Sequence, residues 1–270
     1  MNPTLTSVIS LGIIFAASVI GAAFVFFFKK NYSSKTQSII IGLASGIMIA
    51  TSFFGLLLPS IDYAKDGYSQ YNISFLPVVG GFLVGCLIMY LMDILIPHAH
   101  HSNEEFSEGH NYKRGISKQT KFFLAVTMHN IPEGMAVGLA CAAMFNATGA
   151  SVSISSSAAL ALAIGIAIQN VPESAAVSIP MLSYGYSKPK AFAYGILSGA
   201  VEPVAGVIVL FASFLAPSML MPWLLSFAAG AMIYVTIDEL LPDMKKEESH
   251  FGIWSFVIGF AITMVLEMVL

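Results

Sequence analysis

The hydrophobic positions of this chain fall into eight long segments separated by short polar stretches. A helix needs about 20 apolar residues to cross a hydrocarbon layer roughly 30 Å thick, and each segment is close to that length. The segments lie at about 5–28, 37–60, 75–97, 122–145, 157–181, 190–213, 221–242 and 251–269. The pattern therefore predicts eight transmembrane helices, with no connection long enough to hold a folded domain outside the membrane.

Composition agrees with a membrane protein. Hydrophobic residues make up 57% of the 270 residues and charged residues only 10%, whereas soluble proteins average about 25% charged residues. The mean hydropathy is +0.80. We expect one all-α, multi-pass transmembrane domain over residues 1–270, and no basic patch that would bind nucleic acid.

Basic residues predict the orientation. Eleven of the 12 Lys and Arg residues follow the first, third, fifth and seventh segments, and Lys65 alone lies on the opposite side. Connections rich in Lys and Arg face the cytosol. Both termini are therefore expected outside the cytosol.

Two similar motifs interrupt the apolar pattern in the fourth and fifth segments: HNIPEG at 129–134 and QNVPES at 169–174. In each, the residues three and four positions before the glutamate share its helix face. Glu202 adds a third acid in the next segment. A helical rise of about 1.5 Å per residue places all three carboxylates near mid-depth. Charged residues there usually mark a pathway or a site.

The side chains of these motifs predict a cation site. Imidazole, amide oxygens and carboxylates suit Zn²⁺, Fe²⁺, Mn²⁺ or Cd²⁺, whereas Cu⁺ would prefer a cluster of Cys and Met. Every Lys and Arg lies outside the hydrophobic cores of the segments, so the buried acids call for an external cation. Two divalent ions would nearly balance three carboxylates, while one ion would leave room for a proton. The alternative that the acids are protonated and bonded to Asn, Gln and Ser stays open.

Three other features each allow two interpretations. Met48 in the second segment could add one soft ligand, although packing is the commoner use of methionine. The connection at 98–121 is rich in His and Glu and is either a weak metal binder or a solvated loop. Acids near the two membrane surfaces are either solvated or form an entrance and an exit for cations: Asp62, Asp66, Asp93, Asp238, Glu239 and Asp243.

Internal similarity predicts an inverted repeat. The second segment contains GIMI at 46–49 and reaches Pro59, while the seventh contains GAMI at 230–233 and reaches Pro242. These two segments cross the membrane in opposite directions. We therefore expect the first three and last three segments to be related, flanking a central pair, as in many transporters.

HNIPEG, QNVPES and the VEP at 201–203 together resemble the ZIP family of divalent metal transporters, particularly its GufA-like prokaryotic branch. The resemblance extends over the whole chain. It implies eight helices in a 3+2+3 arrangement, a location in the cell membrane and frequent homodimers. It also implies alternating access and uptake of a divalent metal into the cytosol, with zinc as the leading candidate and no prosthetic group.

The resemblance further implies a binuclear metal site between the fourth and fifth helices. Glu133 and Glu173 correspond to bridging carboxylates. His129, Gln169 and Met48 would complete one metal position. The second would be completed by Asn130, Asn170 and Glu202. Many family members have His and an acid at the positions of Gln169 and Asn170, and Gly at that of Ser174. These differences bear on which metal is selected and on whether the second metal position is occupied.

Two functions of other classes were weighed against transport. An intramembrane metal-dependent hydrolase would use Glu133 or Glu173 as a general base on a metal-bound water. The chain has no HExxH motif and no second His in an apolar segment. A metal-sensing receptor would need a substantial cytosolic output domain. The duplicated ligand sets favour a transporter rather than an enzyme.

Overall fold

The computed structural model describes residues 2–27, 33–95, 118–145, 154–245 and 250–270, and every regular element within these ranges is helical. The α-helices are α1 (Pro3–Ala23), α2 (Ser34–Ala50), α3 (Leu58–Tyr68), α4 (Phe75–Leu95), α5 (Lys118–Phe145), α6 (Ser156–Ser183), α7 (Lys188–Leu215), α8 (Met221–Val235), α9 (Leu241–Met244) and α10 (Phe251–Val269). A π-helical segment, Thr51–Leu57, joins α2 to α3, and a second, Thr236–Leu240, joins α8 to α9.

Seven helical rods in the described ranges are long and apolar enough to cross a membrane. They agree closely with seven of the predicted segments, which confirms a helical membrane protein. The longest rod, Ser34–Tyr68, runs beyond the predicted end at residue 60. The eighth long helix, α5, has 28 residues but is not among the seven. Its His, Asn and Glu side chains lower its hydropathy.

Helix starts are fixed locally by polar side chains. Asn2 precedes Pro3 and accepts a hydrogen bond from the backbone N–H of Thr4 at 2.9 Å. Ser155 accepts one from Ala158 at 3.0 Å at the start of α6. Such caps satisfy N–H groups that have no partner within the helix. The sequence therefore sets where these rods begin.

The two π-helical segments explain why two rods continue past prolines. Pro59 and Pro242 lack an N–H and cannot complete the ordinary helical hydrogen bond. Just before them, Leu58 donates to the carbonyl of Phe53, and Leu241 donates to that of Thr236, five residues back in each case. The shifted bonds allow the helix to pass each proline. The second helix therefore continues to Tyr68, beyond residue 60 where the apolar segment was predicted to end.

Four helix pairs make the most extensive contacts: α2 with α10, α4 with α8, α1 with α6, and α5 with α7. Glycine residues allow the helices of the first two pairs to approach each other closely. A Cβ at Gly46 or Gly259 would overlap the backbone across the α2–α10 contact, and one at Gly85 or Gly230 would do so between α4 and α8. Only residues without a side chain fit at these crossings, as is common between membrane helices.

Burial separates the outer helices from the inner ones. In the most apolar stretch of α4 and of α10, 22% of the residues are buried, against 61% for the Ser34–Tyr68 rod. The exposed side chains of α4 and α10 are large and apolar, among them Leu83, Leu87, Trp254 and Val257. These helices therefore present a lipid-compatible surface, and the polar motifs lie in the interior of the bundle.

Candidate metal centre

The three glutamates of the apolar segments come from the adjacent helices α5, α6 and α7. Glu133 on α5 is 0% exposed and Glu202 on α7 is 1% exposed. Glu173 on α6 is only partly buried. The expectation of three fully buried acids is therefore correct for two. Since α6 contacts both α5 and α7, the motifs share one interior region.

Gln169 connects the two central helices at the first glutamate. Its Nε2 donates to Glu133 Oε1 at 2.5 Å, and both side chains are 0% exposed. Glu173 lies one turn further along α6, within electrostatic range of His129. The imidazole, the amide and the two carboxylates of His129, Gln169, Glu133 and Glu173 therefore lie in one cluster.

Asn170 and Ser18 hold Glu202 from α6 and α1. The Asn170 Nδ2 group donates to Glu202 Oε2 and lies 3.3 Å from the carbonyl oxygen of Ile14. The hydroxyl of Ser18 lies 3.3 Å from Glu202 Oε1. Asn130 is anchored on α7, since its Nδ2 lies 3.0 Å from the Ser198 carbonyl oxygen and 3.2 Å from the Ser198 hydroxyl.

Four buried oxygen atoms at this cluster have no hydrogen-bond partner within the described part of the chain. They are Asn130 Oδ1, Glu133 Oε2, Gln169 Oε1 and Asn170 Oδ1. Leaving a polar group buried and unpaired costs about 1–3 kcal/mol. All four atoms are acceptors, and neighbours already engage the amide nitrogens of Asn130, Gln169 and Asn170. Such a set is suited to a cation rather than to a further acceptor.

The described Lys and Arg residues do not neutralise this cluster. None of them pairs with Glu133, Glu173 or Glu202; the ion pair of Lys65 is with Asp62 at 3.9 Å. Buried carboxylates are normally paired or coordinate a metal. The cluster therefore has the charge and the oxygen ligands that a divalent cation requires.

His129 and Met48 are both connected to the π-helical segment Thr236–Leu240. His129 Nε2 lies 3.1 Å from Glu239 Oε1. Met48 is 2% exposed, and its sulfur lies 2.7 Å from the hydroxyl of Thr236. The segment thus brings a side chain of α2 and one of α5 to the same region. Met48 contacts Thr236 here, so its role as a metal ligand stays a prediction.

The remaining predicted acids lie toward the two ends of the bundle, and Glu239 among them reaches the central cluster through His129. Asp62 lines a cavity of about 280 Å³ between α3, α5, α6 and α10, together with Glu267. At the other end, carboxylate oxygens of Asp93, Asp238 and Glu239 lie within 4.8 Å of one another. Asp66 is exposed. The side chain of Asp243 and most of the loop at 98–121 lie outside the described residues.

Sequence reasoning did not identify Ser18, Ser198 or Thr236 as neighbours of the predicted ligands. The contacts of Ser18 and Ser198 come from α1 and α7, which flank the central pair. A signal was present on α1, where Ser7, Ser10 and Ser18 recur at helical spacing in an apolar helix and all are buried. Such a polar stripe indicates an inward face.

Comparison with known proteins identifies the family. The family model described as "ZIP Zinc transporter" matches residues 3–122 and 117–267. "Zinc transporter ZIP11" of Xenopus tropicalis is 32% identical over 98% of this chain and 97% of that protein. "Zinc transporter GufA" of Myxococcus xanthus is 33% identical, covering 88% and 90% respectively.

A third relative, "Zinc transporter ZupT" of Chlorobium chlorochromatii, is 34% identical over 87% of this chain and 86% of that protein. These matches name transporters and give no support to the hydrolase alternative. With its apolar helices, the chain is a multi-pass membrane protein. The extent of the family match and the identity to these relatives show that the chain belongs to the ZIP zinc transporter family.

Proposed function

We propose that this chain transports divalent metal cations across the membrane, with Zn²⁺ as the principal substrate. The observation that carries the proposal is the set of four buried oxygens, one of Glu133 and three of neighbouring amides, that have no hydrogen-bond partner among the described residues. Among the described residues no basic side chain pairs with these acids. A transported cation supplies the missing charge.

Two metal positions follow from the ligand set. His129, Gln169 and Met48 serve one position, and Asn130, Asn170 and Glu202 serve the other. Glu133 and Glu173 lie between them and bridge. The support is the hydrogen bond from Gln169 to Glu133 and the bond from Asn170 to Glu202, which draw the two groups of side chains together.

Zinc is favoured by two independent arguments. The relatives that cover most of the chain carry the name of zinc transporters. Imidazole, carboxylate and amide ligands also suit a borderline ion, so Cd²⁺, Fe²⁺ and Mn²⁺ remain candidate substrates. No resident prosthetic group is needed for this function.

The ends of the bundle suggest a path for the ion. Asp62 and Glu267 line the outer cavity, and Asp93, Asp238 and Glu239 form an acidic group at the inner end. With the Lys-rich connections in the cytosol, the two groups of acids lie toward opposite ends of the bundle, and Glu239 extends from the inner group to His129 of the cluster. An inward direction is what the family resemblance implies. We infer uptake into the cytosol by alternating access.

The helix pairings support a 3+2+3 arrangement with an inverted repeat. The repeat exchanges α1 with α7, the α2–α3 rod with α8–α9, α4 with α10, and α5 with α6. This exchange converts the α2–α10 pair into the α8–α4 pair. The same exchange converts the α1–α6 pair into α7–α5. All four pairs are observed. The homodimer implied by family resemblance stays a prediction.

Transport is tested with the purified chain in proteoliposomes, measuring initial uptake of Zn²⁺, Cd²⁺, Fe²⁺ and Mn²⁺ with and without a pH gradient. Glu133→Gln preserves side-chain volume but removes a buried charge that no Lys or Arg among the described residues neutralises. We expect it to lower saturable Zn²⁺ uptake at least about 10-fold, since a carboxylate binds a metal in its deprotonated, charged form and an amide cannot supply that charge.

Ser213→Ala is the matched control, because Ser213 is a buried polar residue of α7 whose hydroxyl bonds Val209 at 2.7 Å. It should transport like the unmodified chain. Unchanged uptake by Glu133→Gln would reject this site. Absence of uptake for all four ions by the unmodified chain would reject the function.

A further inference from the structure

The contacts of α1 point to a role for a residue that no ligand assignment includes. Ser18 is 0% exposed, and its hydroxyl lies 3.1 Å from the Ile14 carbonyl oxygen and 3.3 Å from Glu202 Oε1. One hydroxyl hydrogen is therefore shared between a backbone acceptor and a carboxylate. Among the described contacts of Glu202 with side chains, the other comes from Asn170.

Ser18 occupies on α1 the place that Glu202 occupies on α7. Asn170 of α6 donates to the carbonyl of Ile14, which lies four residues before Ser18. Asn130 of α5 donates to the carbonyl of Ser198, which lies four residues before Glu202. The inverted repeat exchanges these two sets. At the position equivalent to the acid, α1 thus has a neutral hydroxyl donor.

Packing fixes the distance between α1 and α7 at this point. Gly199 lies directly against Ser18, and a Cβ on Gly199 would overlap the Ser18 side chain. The absence of a side chain at Gly199 lets the two helices approach closely enough for the Ser18 hydroxyl to reach Glu202. A larger residue in either place would separate the hydroxyl from the carboxylate.

We propose that Ser18 is a positioning residue of the metal site, which holds the Glu202 carboxylate in place for the second metal position beside Asn130 and Asn170. The proposal rests on the proposed function, because it assumes that Glu202 binds the substrate ion. Ser18 acts through Glu202 and adds no charge. Residues that orient a metal ligand typically change metal affinity about 10- to 100-fold when replaced.

The test is a double-mutant cycle on Cd²⁺ affinity, measured by calorimetric titration of the purified full chain in detergent. Ser18→Ala should weaken the binding step that depends on Glu202 at least about 10-fold. In the Glu202→Ala background the same change should have little further effect, because its acceptor is gone. A purely structural role would give equal losses in both backgrounds.

Ser7→Ala is the control, since Ser7 is another buried serine of α1 whose hydroxyl bonds a backbone carbonyl, that of Pro3, at 2.9 Å. It should bind Cd²⁺ normally. Unchanged binding by Ser18→Ala, or equal losses in both backgrounds, would overturn the proposal while leaving the function intact. If Glu133→Gln and Glu202→Ala both bind Cd²⁺ normally, the proposed site itself fails.

Discussion

An amide side chain has a donating end and an accepting end, and at this site its neighbours engage the donating end. The nitrogens of Asn130, Gln169 and Asn170 contact Ser198, Glu133 and Glu202 respectively. Their oxygens have no hydrogen-bond partner in the described part of the chain. The amide oxygens are thus oriented as cation ligands would be, which supports the proposed roles of Gln169 and Asn170.

Sequence reasoning found the residues of this cluster but not their orientations. The spacing of HNIPEG and QNVPES placed each set of ligands on one helix face. It did not show that Glu173 is only partly buried, or that Glu239 contacts His129. These facts depend on which helices surround each motif, and spacing within one helix carries no information on that.

The sulfur atom of Met48 gives a prediction about metal selectivity. Met48→Leu keeps the apolar volume and removes the sulfur, and such swaps usually cost less than about 1.5 kcal/mol. A thioether favours soft ions. We expect the ratio of Cd²⁺ to Mn²⁺ uptake in proteoliposomes to fall several-fold.

The control is Met232→Leu, a buried methionine at the corresponding place in α8 that is 1% exposed. The ratio of Cd²⁺ to Mn²⁺ uptake by Met232→Leu should equal that of the unmodified chain. An unaltered ratio in Met48→Leu, or equal falls in both variants, would remove Met48 from the ligand set.

At the scale of elements, the predicted second segment stops short of the helix that the structure shows. Pro59 is followed by helix as far as Tyr68, because the π-helical segment before it shifts the hydrogen bonds by one residue. A π-helical segment also precedes Pro242. Hydropathy could locate the apolar part of each rod. It could not show that the polar residues after Pro59, including Asp62 and Lys65, continue the helix.

Gly134 tests the contact between α5 and α7. A Cβ there would overlap the backbone of Glu202, so Gly134→Ala should separate the two helices and displace Glu202 from Asn170. Overpacking of this kind costs typically about 1–3 kcal/mol. We expect a lower melting temperature in detergent and a strong loss of Zn²⁺ uptake.

Gly12→Ala is the matched change in α1, where a Cβ would meet no atom within 4 Å. Its melting temperature and uptake should equal or exceed those of the unmodified chain. If both alanine variants behave alike, close packing at Gly134 does not position the site.

At the scale of the whole molecule, the helix pairs agree with the weak sequence similarity between the second and seventh segments. GIMI and GAMI are short, and apolar sequences match easily by chance. In the structure, Gly46 and Gly230 from these motifs pack against α10 and α4 respectively, each against a partner backbone. The two glycines are therefore equivalent in the contacts that they make with distant segments. A comparison of short motifs within one sequence does not reveal such contacts.

The predicted orientation is tested with single cysteines at exposed positions, Gln70 after α3 and Ser187 before α7. With both termini outside, Gln70→Cys should react with a membrane-impermeant maleimide on intact cells, and Ser187→Cys should react only after permeabilisation. The unmodified chain gives the background, since Cys86 and Cys141 lie within helices. The reverse labelling pattern would invert the topology and the proposed direction.

The sequence by itself determined the membrane class, the extent of the apolar rods and the residues of the two motifs, because these depend on local composition and on the period of one helix. Only the tertiary structure decided which helices meet, which oxygens remain without a partner, and that Ser18 of α1 reaches Glu202. Those outcomes depend on glycine contacts and side-chain orientations between segments far apart in the chain. Packing in three dimensions, rather than any local pattern, selects them.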